Sequence, residues 1–171
     1  MKIRELEIRD AELMLEWMHD PRVNRFFRFD ADKMTREDAV HFILSAREAR
    51  LRRESFHFAI ADDMDEYLGT ISLKNVDWQE GKAEYAISLR TAAQGRGIGT
   101  RATEILLDYA FRDLMLKRVF LNVFSDNGHA IRMYEKCGFA FVETETEPVL
   151  VRGAEKYLSW YQITNESNGL Q

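Results

Sequence analysis

The sequence has little cysteine, little proline and no long apolar run, and each of these absences excludes a class of protein. Cys137 is the only cysteine, so no internal disulfide can form and a cysteine-based zinc site is excluded. With 2 prolines and 9 glycines in 171 residues, the chain is neither collagen-like nor of low complexity. No stretch reaches membrane-spanning length, and the N-terminal segment lacks the apolar stretch of a signal peptide. We therefore expect a cytoplasmic protein with no membrane partner.

The chain also lacks an excess of positive charge. Its 24 basic and 29 acidic residues give a net charge of -5, so nucleic acid is not an expected partner. No pair of histidines and no group of carboxylates has the spacing of metal ligands, so no metal is expected. Hydrophobic residues make up 46% of the sequence, which suffices for the core of one ordinary domain. We predict a single domain over residues 1–163 and a polar tail over residues 164–171.

The hydrophobic pattern predicts an α/β protein. Alternating segments predict strands at 3–8, 56–60, 68–73, 84–89, 119–124, 139–147 and 151–163. Helical spacing predicts one helix with Asp10 as its side-chain N-cap, one that begins at Thr35, and two more at 98–109 and 126–136. In the second helix, Val40, Ile43 and Leu44 are expected to face the core. Because strands first follow one another and later alternate with helices, we expect a mixed sheet.

The segment Gln94-Gly95-Arg96-Gly97-Ile98-Gly99-Thr100 lies between a predicted strand and a long predicted helix. Its glycines allow positive φ angles and a close approach of the backbone to a ligand. The first turn of a helix has unpaired N–H groups and its dipole favours an anion, so the segment is typical of a pyrophosphate-binding turn. The alternative is a glycine-rich turn that only connects strand and helix. A P-loop is excluded because Thr100-Arg101 stands where Lys-Ser/Thr is required, and a Rossmann turn because the third glycine and an early βαβ unit are missing.

Two motifs resemble the GCN5-related N-acetyltransferases (the GNAT family), which bind acetyl-CoA. Gln94-x-x-Gly97-x-Gly99 matches the family's Gln/Arg-x-x-Gly-x-Gly/Ala signature. Residues 122–139 resemble the family's strand followed by an Asn-x-x-Ala-x-x-x-Tyr-Glu-Lys-x-Gly-Phe helix. Residues 15–23 resemble, more loosely, the ribosomal-protein and amino-sugar acetyltransferases. The resemblance implies the GNAT fold, a mixed and mostly antiparallel six- or seven-stranded sheet with splayed central strands, flanked by about four helices.

The resemblance also implies a site for acetyl-CoA. Backbone amides of residues 95–100 would hold the pyrophosphate, and the strand over residues 87–89 would pair with the pantetheine arm. Asn127 and Ala130 would flank that arm, and Lys136 would approach the adenosine end. Arg96 and Lys136 are alternatively solvated surface charges. The implied cofactor-binding residues are Ile87, Ser88, Leu89, Gln94, Gly95, Arg96, Gly97, Ile98, Gly99, Thr100, Asn122, Asn127, Ala130 and Lys136.

The implied reaction is direct attack of a primary amine on the acetyl thioester. An alkylammonium group has a pKa of about 10 and must first lose a proton, while the departing thiolate must gain one. Tyr134 matches the family's tyrosine that donates a proton to the sulfur, and is otherwise a core aromatic residue. Glu84 is the candidate base, acting directly or through water, and is otherwise an exposed residue at a strand start. His129, near a helix start, is a weaker candidate for the base.

Two other functions are compatible with these motifs. One is transfer from a longer acyl-CoA, because the turn recognises CoA rather than the acyl group, and the other is a CoA-binding sensor without turnover. The expected acceptor is a small-molecule amine or a protein N-terminal amine, such as an amino sugar, a polyamine, an aminoglycoside or a ribosomal-protein N-terminus. A monomer or a homodimer is expected. Trp17, Trp78 and Trp160 belong to the core, to an acceptor pocket or to an interface.

The predicted strand after Gly138 carries a row of acidic residues. Strand alternation puts five residues on one face, namely Phe139, Phe141, Glu143, Glu145 and Glu147. In the GNAT family this strand helps to wall the acceptor side of the cleft, so its carboxylates would attract a cationic amine. The alternative is an exposed edge strand whose charges prevent edge-to-edge pairing.

Overall fold

The computed structural model describes residues 1–166, in which helices cover both faces of a sheet. The strands are β1 (Lys2–Glu5), β2 (Phe56–Ala61), β3 (Tyr67–Asp77), β4 (Lys82–Leu89), β5 (Arg118–Phe124), β6 (Ala140–Thr144), β7 (Val149–Val151), β8 (Ala154–Lys156) and β9 (Leu158–Thr164). The helices are α1 (Ala11–His19), α2 (Pro21–Asn24), α3 (Arg36–Leu51), α4 (Ile98–Asp108), which continues as a π-helical turn, and α5 (Gly128–Lys136). Of the predicted polar tail, Thr164 belongs to β9, and residues 167–171 lie outside the described residues.

Within residues 1–166, seven strands form one sheet in the order β1-β2-β3-β4-β5-β9-β6. Every neighbouring pair is antiparallel except β4 and β5, which are parallel. Strands β7 and β8 form a separate hairpin. The mixed, mostly antiparallel sheet expected from the sequence is therefore confirmed.

Strands β4 and β5 separate soon after they begin. Their register joins three residue pairs, which are Lys82 with Arg118, Ala83 with Val119 and Glu84 with Phe120. Beyond these pairs β4 continues against β3 alone, and β5 continues against β9 alone. The facing edges of β4 and β5 therefore open a gap in the middle of the sheet, and the expected splay of the central strands is confirmed.

Side-chain alternation gives the sheet two faces with different partners. One face, which includes Phe58, Ile71 and Leu121, packs against α4 and α5 over the larger cluster of buried residues. The other face, which includes Ala59, packs against α1 and α3 over a smaller cluster. We call them the α4/α5 face and the α1/α3 face. Cross-strand partners share a face, so the pairings of β2, β3, β4 and β5 put Glu84 on the α1/α3 face together with Ala59.

The starts of α1 and α3 differ in how they are capped. Thr35 begins α3 as predicted, because its hydroxyl accepts from the N–H of Asp38 at 3.2 Å and the Asp38 carboxylate accepts from the N–H of Thr35 at 2.8 Å. Asp10 precedes α1 but does not cap it. Its buried carboxylate accepts from the guanidinium of Arg4 at 2.8 and 3.0 Å and from the N–H of Glu7 at 2.8 Å. The predicted cap was wrong because a buried cation is a stronger partner for a carboxylate than the helix end.

The buried face of α3 does not include every hydrophobic residue that was predicted to face the core. Its buried residues are Ala39, Ile43 and Ala46, whereas 42% of Leu44 is exposed. The prediction for Leu44 was therefore wrong.

The region after Gly138 departs furthest from the prediction. Strand β6 ends at Thr144, and its register with β9 shifts between Phe141, opposite Tyr161, and Glu143, opposite Trp160. A bulge of this kind reverses the alternation, so Phe141 and Glu143 lie on opposite faces. The prediction that the aromatic and acidic residues share one face was therefore wrong. The predicted strand over residues 151–163 is also interrupted. Residues 152 and 153 have φ angles of 51° and 80° and form the turn between β7 and β8.

Candidate active site

The gap between β4 and β5 contains a cleft of about 250 Å³. Residues of both sheet faces line it, because the gap passes through the sheet. Glu84 and Asn122 come from the α1/α3 face, Tyr134 comes from α5 on the opposite side, and the segment after α2 closes the cleft through Phe26 and Phe27. A molecule bound on one face of the sheet can therefore meet a molecule bound on the other face.

Glu84 occupies the last position at which β4 still pairs with β5. One carboxylate oxygen, Oε1, accepts from the side-chain amide of Asn122 at 3.3 Å and lies 3.6 Å from the ammonium of Lys74. The other oxygen has no hydrogen-bond partner in the described part of the chain. About a fifth of the side chain is exposed (21%). The carboxylate is thus held from one side and open to the cleft on the other.

Tyr134 is 8% exposed and lines the same cleft as Glu84. Its ring packs edge-on against Tyr85, with the centroids 5.6 Å apart, and against Phe139. Burial raises the pKa of the Tyr134 phenol well above its usual range, so the phenol stays protonated at neutral pH. Within residues 1–166 its hydroxyl forms no hydrogen bond, and so it is a free donor in the cleft.

A second cavity, of about 300 Å³, lies where the glycine-rich turn enters α4. Gly95 and Gly97 have φ angles of 72° and 75°, and a Cβ at either position would meet no atom within 4 Å. Gly99 is different, because a Cβ there would lie 2.8 Å from the sulfur of Met133. The first two glycines therefore shape the turn and keep its surface open, whereas the third lets α4 and α5 approach each other.

The amide N–H groups of this turn are available to a ligand. In the described part of the chain the first backbone donor after Gln94 is Arg101, which donates to the carbonyl of Gly97 at 3.1 Å. The N–H groups of residues 95–100 are left without an acceptor, at the positive end of an 11-residue helix. Unpaired amides at that end of a helix are a site for an anion.

Most of the predicted cofactor-binding residues gather around these two cavities. Those that line the glycine turn are Leu89, Gln94, Gly95, Gly97, Ile98, Gly99, Thr100 and Lys136, and those that line the cleft are Ile87, Asn122 and Asn127. Three predicted residues line neither cavity, and one of them, Ser88, lines the third cavity described below. Arg96 is exposed, and Ala130 gives its backbone N–H to the side chain of Asn127 at 3.4 Å.

The sequence analysis missed two residues of α5 that line the cavity at the glycine turn, Arg132 and Met133. Their spacing from His129 and Lys136 is three or four residues, so all four share one helix face, and this spacing was the signal available in the sequence. His129 lies beside the glycine turn rather than in the cleft with Glu84. Its position does not suit the role of base considered for it.

A third cavity, of about 410 Å³, lies between the α1/α3 face of the sheet and the helices that cover it. We call it the apolar cavity. Its walls carry eight large apolar side chains, which are Met14, Trp17, Met18, Phe27, Phe29, Met34, Phe42 and Ile87. Of the three alternatives for Trp17, the structure thus shows both core burial and a pocket wall, and its indole N–H donates to the hydroxyl of Tyr67 at 2.8 Å.

His57 lies at the wall of the apolar cavity, and the sequence analysis missed it. Its Nδ1 is 2.7 Å from the hydroxyl oxygen of Ser72, and the ring of Phe42 packs edge-on against it with centroids 5.0 Å apart. Burial lowers the pKa of His57 to about 4, and the positive charges of Lys74 and Arg50 add to this effect. The imidazole is therefore neutral at neutral pH.

The acidic residues Glu143, within β6, and Glu145, after it, do not line these cavities. Glu145 accepts a hydrogen bond from the indole of Trp160 at 2.9 Å, and Glu143 lines a separate groove together with Lys82 and Arg118. Strand β6 is the edge of the sheet and is exposed throughout. Trp78 is also away from the site, because its indole donates to the carbonyl of Arg53 at 2.8 Å.

In the part of the chain that the structure describes, no group of three or more His, Cys, Asp or Glu side chains is placed to hold a metal ion. Over the same residues, no helix combines the length and the apolarity that crossing a bilayer requires.

Known proteins are similar to this chain in sequence. The acetyltransferase (GNAT) domain family matches residues 1–140. The probable N-acetyltransferase YjcK of Bacillus subtilis (strain 168) is 34% identical over 148 residues, which cover 80% of this chain and 78% of that protein. The spermidine N(1)-acetyltransferase of Vibrio cholerae serotype O1 is 30% identical over 82 residues, which cover 48% of this chain and 47% of that protein.

A solved structure shares the fold over almost the full length. The crystal structure of spermidine N-acetyltransferase from Vibrio cholerae in complex with CoA and spermine has a TM-score of 0.86 and covers 98% of this chain and 96% of that chain. The two sequences are 19% identical, and the likeness therefore concerns the fold.

The buried, neutral His57 predicts a dependence of stability on pH. The pKa of His57 is about 4 in the folded chain and about 6.5 in the unfolded chain. The neutral imidazole therefore contributes its full stabilisation of the fold above pH 6.5, and this stabilisation is lost as the pH falls towards 4. Between pH 7 and pH 5 we expect His57 to account for a loss of about 2 kcal/mol in the free energy of unfolding. Urea unfolding at both pH values should show a smaller loss in His57→Asn. Replacing the exposed His41 in the same way should keep the loss of the parent chain, and an equal loss in all three proteins would contradict the prediction.

Proposed function

The chain belongs to the acetyltransferase (GNAT) family and is an acetyl-CoA-dependent N-acetyltransferase, and we propose that it transfers the acetyl group in the cleft between β4 and β5. The observation that carries this proposal is the passage through the sheet. Glu84 borders the cleft on one face and Tyr134 on the other. An amine and a thioester that enter from opposite faces would thus meet between a base and an acid.

The glycine turn suits the pyrophosphate of CoA. Free amides of residues 95–100 lie at the start of α4, and the open space beside Gly95 and Gly97 lets a phosphate approach the backbone. Lys136 and Arg132 line the same cavity and can add positive charge. The edge of β4 from Tyr85 to Leu89 faces the gap without a strand partner among residues 1–166, so it is free to pair with the pantetheine amides. When bound, acetyl-CoA supplies the activated acetyl thioester.

Glu84 and Tyr134 are the proposed base and acid. The carboxylate oxygen of Glu84 that has no protein partner can take a proton from the acceptor ammonium, directly or through a water molecule. The protonated phenol of Tyr134 is free to give a proton to the departing sulfur. The proton that is removed on one side of the cleft is thereby matched by one donated on the other.

The acceptor is proposed to be a small-molecule amine or the N-terminal amine of a protein. Relatives support both, because the similar proteins include spermidine N-acetyltransferases and a solved ribosomal-protein-S5-alanine acetyltransferase. We propose that the enzyme works in the cytoplasm as a monomer or a homodimer.

Gly97→Val is expected to weaken CoA binding at least about tenfold, because its side chain would occupy the open space through which the pyrophosphate approaches the backbone amides. The variant Gly153→Val is a matched control, since both glycines have positive φ angles, 75° and 80°, and open space at the Cβ position. Calorimetric titration with CoA should separate the two, and circular dichroism should show a folded chain in both. Equal affinities of the two variants would contradict the assignment of the glycine turn.

Tyr134→Phe is expected to lower kcat by about 10²–10⁴ without changing the affinity for acetyl-CoA, because the ring packing remains and only the proton donor is lost. The control is Tyr109→Phe, which removes the hydroxyl of a tyrosine that packs on Phe56 and Phe58, away from the cleft. Thiol release with a saturating amine measures kcat. Wild-type turnover in Tyr134→Phe would contradict the role of Tyr134 as the acid and would mean that its ring has only a structural role.

Glu84→Gln is expected to lower kcat at pH 7 by about 100-fold or more, because the amide cannot take the proton of the acceptor ammonium. Part of the loss should be recovered near pH 10, where the amine is already neutral. A pH profile of turnover between 7 and 10 tests this, with the exposed Glu80→Gln as the control. A deficit of the same size at every pH would mean that Glu84 positions the substrate instead of removing its proton.

A further inference from the structure

The apolar cavity has a volume of about 410 Å³, and the proposed chemistry assigns it no role. We propose that it holds the body of the acceptor, and that this acceptor is a small primary amine with one ammonium group and an aromatic or branched apolar body. This inference rests on the proposed acetyl transfer and adds the class of amine to it.

The apolar cavity is continuous with the reaction cleft. Phe27, Lys74, Ala86 and Ile87 line both of them. An amine whose body lies in the cavity would therefore place its nitrogen in the cleft, next to Glu84. The volume of the cavity is within the range of sites that enclose small organic molecules, about 300–1,000 Å³.

The walls of the cavity favour an apolar body. Trp17 packs edge-on against Phe27, and Phe27 stacks with Phe29, with centroids 5.4 Å apart in both pairs. The indole N–H of Trp17 is already bonded to Tyr67, so Trp17 offers a ring surface without a free donor. Flat and flexible side chains of this kind bind aromatic and branched groups by burying apolar surface.

The charges around the cavity argue against a second ammonium group on the acceptor. Among the described residues, no Asp or Glu lines the apolar cavity, and Lys74 is the charged side chain at its junction with the cleft. Over residues 1–166, Glu84 is the one carboxylate that lines the adjoining cleft. A single carboxylate can pair with a single ammonium, whereas a second ammonium in the cavity would be desolvated, unpaired and close to Lys74. The acceptor inferred here therefore differs from spermidine, the substrate named for some relatives.

The test compares apolar monoamines with a diamine and a polyamine, using the full chain and saturating acetyl-CoA. We expect kcat/KM for 2-phenylethylamine and 3-methylbutylamine to exceed that for 1,4-diaminobutane and spermidine by about 10- to 100-fold. Diamines that are used equally well or better would overturn the inference. A peptide with N-terminal phenylalanine that is used more than tenfold better than 2-phenylethylamine would overturn it in favour of a protein N-terminus. If CoA binds and no amine is acetylated, the proposed acetyl transfer fails, and the inference fails with it.

A substitution in the wall of the apolar cavity tests whether the acceptor binds there. Phe29 lines the cavity and is 48% exposed, so Phe29→Glu can add a carboxylate there without burying it. We expect kcat/KM for 2-phenylethylamine to fall about tenfold and the preference over 1,4-diaminobutane to narrow. The control Met64→Glu adds the same charge at a residue that is 87% exposed and lines no cavity described above. An unchanged preference in Phe29→Glu, equal to that of the control, would overturn the placement of the acceptor in the apolar cavity.

Discussion

The early separation of two parallel strands is the constraint on which the rest of this site depends. Strand β4 leaves β5 after Glu84, and from that point its edge lacks a strand partner among residues 1–166. A sheet edge with free amides and carbonyls is a template for an extended partner. Here the gap is in the middle of the sheet, flanked by packed helices on both faces, so it forms an enclosed passage for ligands rather than a site of aggregation.

The gap between β4 and β5 separates two parts of the molecule that differ in the kind of ligand they can bind. On the α4/α5 face, the glycine turn presents free amides, and Gly99 lets α4 pack closely against Met133 of α5. On the α1/α3 face, the space beneath the helices is apolar and is bordered by a neutral His57. One half thus suits a phosphate-bearing ligand and the other an uncharged body, which is the asymmetry that a transfer between two different substrates requires.

The features that were predicted well depend on short stretches of sequence. The glycines of the turn, the start of α3 at Thr35 and the end of α5 at Lys136 each depend on residues within a few positions of one another. Where a prediction was wrong, a distant partner had decided the outcome. Asp10 bonds to Arg4 of β1 rather than to its own helix, and the pairing of β6 with β9 contains a bulge that reverses the strand's alternation.

The sequence by itself determined the class of fold and the position of the glycine-rich turn, because local motifs and periodicity carry this information, and its resemblance to the GNAT family singled out Tyr134 and Glu84 as candidates. Only the tertiary structure decided which of these residues share a cavity. It brought Glu84 and Tyr134 to one cleft from opposite faces of the sheet, put His129 outside that cleft, and placed Trp17 and His57 around the apolar cavity. The physical reason is that a cavity forms where packed elements fail to meet, and that depends on distances between residues far apart in the chain.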